Sequence, residues 1–129
     1  MKIGFIGLGN VGGKLAGSLL RNNFELTVLD LDSNLMKKFE KKGASITNTP
    51  KELTKNVDLI ITCLPSPEIC AEVMESPEGI LEGISKNKIW LEMSTTDESE
   101  VKRLGGLISK KGGIPLDGPV SGGCHRAAT

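Results

Sequence analysis

MKIGFIGLGNVG, residues 1–12, decides how the rest of the chain is read. Lys2–Ile6 has the make-up of a short buried strand. Val11, Leu15, Leu19 and Leu20 recur at the spacing of one helix face. Between the two sits G-x-G-x-x-G, as Gly7, Gly9 and Gly12. Glycine supplies 16 of 129 residues, so three of them in a row of turns decide little by themselves. The flanks give them meaning. In a strand–turn–helix the first glycine permits the tight turn and the second lets backbone approach a pyrophosphate. The third lets the helix pack close to the strand. The helix N-terminus adds unpaired N–H groups and a positive dipole end.

Working outward, apolar runs and amphipathic stretches alternate. Glu25–Asp30 reads as a second strand, and Asp30 lies 23 residues after Gly7, where a carboxylate can accept from both hydroxyls of a ribose. Ser33 reads as the N-cap of a helix through Leu35, Met36 and Phe39, closed by Gly43. A short strand at Ala44–Thr47 and a brief helix after Pro50 follow. Val57–Cys63 is the strongest buried strand, broken by Pro65–Pro67. A helix near Glu68–Glu75, a loop, and a strand at Lys88–Glu92 come next. Asp97 is placed to cap a helix carrying Val101, Leu104 and Ile108, and Gly113–Asp117 is the last strand. This β-α alternation predicts an α/β fold with a doubly wound parallel sheet of Rossmann type, in one domain over residues 1–129.

Composition removes other classes. Lys+Arg and Asp+Glu are both 16, so no net charge draws the chain to nucleic acid or an anionic membrane. With 3% aromatic residues and no Tyr, stacking platforms for single strands are also missing. Neither a signal peptide nor an apolar run near membrane-spanning length is present, and three cysteines without framework spacing suit a reducing compartment. The expected location is the cytoplasm.

GLGNVGGK fails as a phosphate loop, because Gly13 stands where that motif needs Lys, and Leu15 lacks a hydroxyl for magnesium. Cys124-His125 and the Cys63/Cys70 pair do not have metal-ligand spacing, so no metal is expected. A catalytic thiol would lack a second His as partner, and His125 reads as a solvated loop residue that could otherwise touch substrate. Cys63 and Trp90 read as core. Lys37, Lys38, Lys41 and Lys42 read as a solvated face interrupted by Glu40.

GFIGLGNVG at one end, CLP (63–65) and MSTT (93–96) after the fourth and fifth strands, and DGPVSGG (117–123) after the sixth form a specific combination. On these motifs the chain resembles the β-hydroxyacid dehydrogenase family, which includes 3-hydroxyisobutyrate dehydrogenase and, more distantly, 6-phosphogluconate dehydrogenase. The resemblance implies an NAD-dependent oxidoreductase that oxidises a small 3-hydroxyacid. Gly7, Leu8, Gly9, Asn10, Val11 and Gly12 would hold the pyrophosphate and Asp30 the adenosine ribose. Leu64 and Pro65 would line the nicotinamide ribose and Thr96 the nicotinamide end. Ser121, Gly122 and Gly123 would bind the substrate carboxylate. NAD is expected over NADP, since Asp30 would repel a 2′-phosphate and Leu31 is not a welcoming Arg.

The chain departs from the family pattern at three points. Gly118 replaces the usual Ala, and the Pro after the Ser/Thr motif is missing from STTDES. The family's catalytic Lys belongs to a C-terminal helical domain, which this chain is expected to lack. The expectation is therefore an N-terminal domain without a catalytic residue of its own, a homo-oligomer in the full-length enzyme. A non-catalytic NAD(P)-sensing module is the alternative, weakened by the substrate loop; a methyltransferase is weakened by the glycine spacing.

Overall fold

The computed structural model describes residues 1–93 and 97–117. In chain order the elements are β1 (Lys2–Ile6), α1 (Asn10–Arg21), β2 (Glu25–Leu29), α2 (Ser33–Lys41), β3 (Ser45–Ile46) and α3 (Pro50–Lys55). They continue with β4 (Leu59–Thr62), α4 (Pro67–Glu75), α5 (Ile80–Gly83), β5 (Ile89–Glu92), α6 (Glu98–Lys110) and β6 (Ile114–Asp117). The six strands form one sheet in the order β3-β2-β1-β4-β5-β6, parallel at every pairing. This is the doubly wound, Rossmann-type α/β arrangement that the alternation predicts.

The topology puts the site where it is. From β1 the chain steps outward to β2 and β3, then returns past β1 to β4, β5 and β6. Right-handed crossovers in opposite directions place their helices on opposite faces. Two apolar clusters follow. In one, Ile3, Phe5, Leu26, Val28 and Ile61 pack against Ala16 of α1 and Phe39 of α2. In the other, Ile6, Ile60 and Trp90 pack against Leu53, Met74, Ile80, Leu104 and Ile108 from α3 to α6. The sheet order reverses between β1 and β4, and ligands of open parallel sheets lie at the C-terminal edge beside such a reversal. The glycine turn follows β1 and the CLP stretch follows β4, so both meet there.

Several local expectations are corrected. The N-cap of α2 is Asp32, not Ser33: its carboxylate accepts from the N–H groups of Asn34 and Leu35, an arrangement an Asp one residue earlier achieves equally well. The predicted loop before β5 contains α5. Strands β2 to β6 are each one to three residues shorter than the runs read as strands. Cys63 lies past the end of β4 and is half-buried; Cys70 is the buried thiol. Trp90 is fully buried, and Lys37, Lys38, Lys41 and Lys42 are exposed, as read. On α1 the buried line is Gly12 and Ala16, with Leu15, Leu19 and Leu20 only partly covered.

Among the described residues, one face of the sheet's last strand is uncovered. The register aligns Leu59, Ile89 and Ile114 in one row and Ile61, Leu91 and Leu116 in the next. Ile114 and Leu116 are 43% and 49% exposed, since α3 to α6 cover the opposite face.

Candidate functional site

Each glycine of the fingerprint has a distinct physical reason. Gly7 sits at φ +104°, where side chains are strained, and a Cβ there would run into the carbonyl of Cys63. Its N–H donates to the Leu29 carbonyl at 3.0 Å, so the turn is stitched to β2 as soon as β1 ends. Gly12 faces back onto the Gly7 carbonyl, and a Cβ there would collide with it, which is the close approach of helix to strand. Gly9 differs from both. Among the described residues nothing lies within 4 Å of where its Cβ would be, and the residue is exposed. The backbone at Gly9 can therefore be approached closely.

The helix behind Gly9 starts without a side-chain cap, as the short α5 also does. Asp32, Thr49, Ser66 and Asp97 cap α2, α3, α4 and α6 through their side chains. Helix α1 begins at Gly9 with no side-chain cap and no acidic residue in its first turn. Its N-terminal donors and dipole therefore face outward at the reversal point.

Asp30, just past β2, reaches across to the glycine turn. One carboxylate oxygen accepts from the Leu8 N–H at 2.7 Å, and the other accepts from the Asp32 N–H at 2.8 Å. Each oxygen has a second lone pair, so the group can still accept from ribose hydroxyls. The sequence reading gave Asp30 a ligand role and missed this second one, as the residue that holds the turn. Only the pairing of β1 with β2 brings the two together.

The CLP stretch closes the other wall. The Cys63 N–H donates to the Ile6 carbonyl at 3.0 Å, tying the segment to β1, and the Leu64 side chain lies beside Gly7. Leu64 is half-buried and Pro65 exposed. Gly7, Leu8, Gly9, Asn10, Val11, Gly12, Asp30, Leu64 and Pro65 thus share one edge of the sheet. Thr96, Ser121, Gly122 and Gly123, with Cys124 and His125, lie outside the described residues.

Behind these loops is a buried polar group that the sequence reading also missed. Glu92 ends β5 and is fully buried. One of its oxygens accepts from the Thr62 hydroxyl at 3.1 Å and from the Cys70 thiol at 2.9 Å. The Thr62 hydroxyl in turn accepts from the Trp90 indole N–H at 3.0 Å. Burial, then the charge of Glu92, pushes the Cys70 thiol well above its ordinary range, so it stays protonated and unreactive. The available signal was a glutamate closing the otherwise apolar run IWLE (89–92).

Among the described residues no helix is long and apolar enough to cross a membrane, and no group of His, Cys, Asp and Glu could hold a metal ion.

Comparison with known proteins adds to this geometry. The family described as the NAD binding domain of 6-phosphogluconate dehydrogenase matches residues 2–129. The mitochondrial 3-hydroxyisobutyrate dehydrogenase of Mus musculus is 36% identical over 125 residues, 97% of this chain and 37% of that protein. The structure of Mycobacterium tuberculosis 3-hydroxyisobutyrate dehydrogenase with L-serine matches with a TM-score of 0.86 and 25% identity, covering 98% of this chain and 43% of that one. Psf3 in complex with NADP+ and 2-OPP shares the fold at a TM-score of 0.93 and 24% identity, over 98% of this chain and 45% of that one. The chain spans less than half the length of each of these three proteins.

Proposed function

Because the chain belongs to the family of the NAD binding domain of 6-phosphogluconate dehydrogenase, within the β-hydroxyacid dehydrogenases, we propose that it is the cofactor domain, residues 1–129, of an enzyme that oxidises a small 3-hydroxyacid with NAD. The observation that carries the reading is the open space at Gly9 before an uncapped α1, bordered by Asp30 and by the CLP segment.

In this reading the backbone N–H groups of Gly9–Gly12 hold the pyrophosphate and Asp30 accepts from the adenosine ribose. Leu64 and Pro65 line the nicotinamide ribose, and Thr96 meets the nicotinamide end. Ser121, Gly122 and Gly123 receive the carboxylate of the hydroxyacid through a hydroxyl and backbone donors. The nicotinamide, when bound, supplies the hydride acceptor. What the chain contributes is orientation: the strand edge that carries Leu64 and Pro65 sets the cofactor's reactive end beside the substrate loop. The proton acceptor is expected from the additional length that the relatives possess, as the family resemblance implies. Homo-oligomerisation would belong to that same additional length, and three cysteines without framework spacing suit a reducing cytoplasm.

NAD rather than NADP is supported by Asp30, already committed to two backbone donors, and by the fully exposed Leu31 beside it, which offers a 2′-phosphate no cation. The test is NADH formation from a panel of 3-hydroxyacids, run on this chain and on a version extended through the downstream coding sequence. The expected result is NAD binding by both and turnover by the extended chain alone. Binding without turnover by either would favour a sensing module. Turnover by the short chain would place the base within these residues and overturn the division of labour.

A further inference from the structure

Thr62 and Cys70 bracket the CLP segment. Thr62 is the last residue of β4, and Cys70 lies in the first turn of α4, whose N-cap is Ser66. Residues 63–66 are all that separate the strand from the helix, and Leu64 and Pro65 are within them. One buried oxygen of Glu92 accepts from both brackets.

We infer that Glu92 is a positioning residue: by holding the Thr62 hydroxyl and the Cys70 thiol on one carboxylate oxygen, it fixes the segment that carries Leu64 and Pro65 against the nicotinamide half of the cofactor. Three features support this over a role in core packing alone. A buried carboxylate is costly unless donors surround it, and here two donors come from the two ends of one loop. The Trp90 indole N–H orients the Thr62 hydroxyl, so that its hydrogen points to Glu92. The register also sets Glu92 beside Thr62 at the C-terminal edge, next to the reversal point of the sheet. In keeping with that register, the Met93 N–H donates to the Thr62 carbonyl at 2.8 Å.

The inference rests on the cofactor reading above, and its test separates the two. ADP carries the adenosine ribose and the pyrophosphate, the groups assigned to Asp30 and Gly9–Gly12, but no nicotinamide half. Glu92→Met keeps the length of the side chain and removes the carboxylate. By calorimetric titration of the 129-residue chain, the variant is expected to lose about tenfold in NAD affinity, while ADP affinity changes less than about twofold. A packing role would move both nucleotides together or neither, and either of those results overturns the proposal.

Should Glu92→Met not fold, Cys70→Ala releases one bracket alone. It is expected to shift the NAD-to-ADP affinity ratio in the same direction, and Cys70→Ser, which restores a donor, is expected to return the ratio to that of the unaltered chain. Equal ratios for Cys70→Ala and the unaltered chain overturn the proposal. An unaltered chain that binds neither nucleotide overturns the cofactor reading itself, and the positioning role with it.

Discussion

Replacing Gly9 by Ala separates binding from folding. Gly9 is the N-cap of α1 at φ −67° and ψ −161°, a conformation open to alanine, and no atom of the described residues lies within 4 Å of the new methyl. The fold should lose only the difference between glycine and alanine as N-caps, about 0.5–1 kcal/mol. For a domain of this size that lowers the melting temperature by roughly 2–6 °C. The methyl projects instead into the space assigned to the pyrophosphate. At NAD one hundred times above its dissociation constant, ligand linkage stabilises the unaltered domain by about 2.7 kcal/mol. A hundredfold loss of affinity leaves about 0.4 kcal/mol at the same concentration, so the NAD-dependent rise in melting temperature should nearly vanish. Thermal melts with and without NAD, on both chains, make the comparison. A collapsed apo melting temperature, or an undiminished rise with NAD, would refute the reasoning.

Other perturbations follow from the same geometry. Gly12→Ala, which drives a methyl into the Gly7 carbonyl, should lower apo stability by about 1–3 kcal/mol even after any gain in helix propensity; denaturant titration reads it. Asp30→Ala should narrow the preference for NAD over NADP in paired titrations, and should weaken ADP binding as well because the Leu8 N–H loses its acceptor; an unchanged preference would remove Asp30 from the cofactor site. Raising the pH through the ordinary thiol value of 9.0 should reduce stability, because the unfolded chain then releases the Cys70 proton that the folded chain keeps. Cys70→Ser should flatten that slope in melts taken across the range. Leu116→Lys, on the open face of β6, should leave the melting temperature nearly unchanged, whereas Leu104→Lys in the buried cluster should abolish folding; circular dichroism distinguishes them.

The sheet was legible because its strands are short apolar runs set between amphipathic stretches, and periodicity reports that directly. The fingerprint was legible because three glycines do three separable jobs at fixed spacing. What the sequence hides is contact between distant segments. Nothing in the order of residues shows that Asp30 holds the Leu8 N–H, since the link exists only once β2 pairs with β1. Glu92 looked like a polar end to a strand. Its meaning depends on Thr62, 30 residues earlier, and on Cys70, 22 residues earlier, arriving at one oxygen. Capping was legible to within a residue: Asp97 caps α6 as expected, while at α2 two suitable side chains stand side by side and the backbone selects Asp32. The exposed apolar face of β6 was hidden for another reason, because an apolar strand reads the same whether or not a helix covers it.

The central claim is that a dinucleotide lies across the C-terminal edge, from Asp30 over the glycine turn to the CLP segment. Backbone amide NMR of the 129-residue chain during NAD titration tests it most directly. The account predicts saturable shifts confined to Leu8–Gly12, Asp30–Asp32, Thr96 and the amides of Cys63, Leu64 and Ser66, with α2 and α6 unmoved. Shifts centred elsewhere, or none at millimolar NAD, would contradict it.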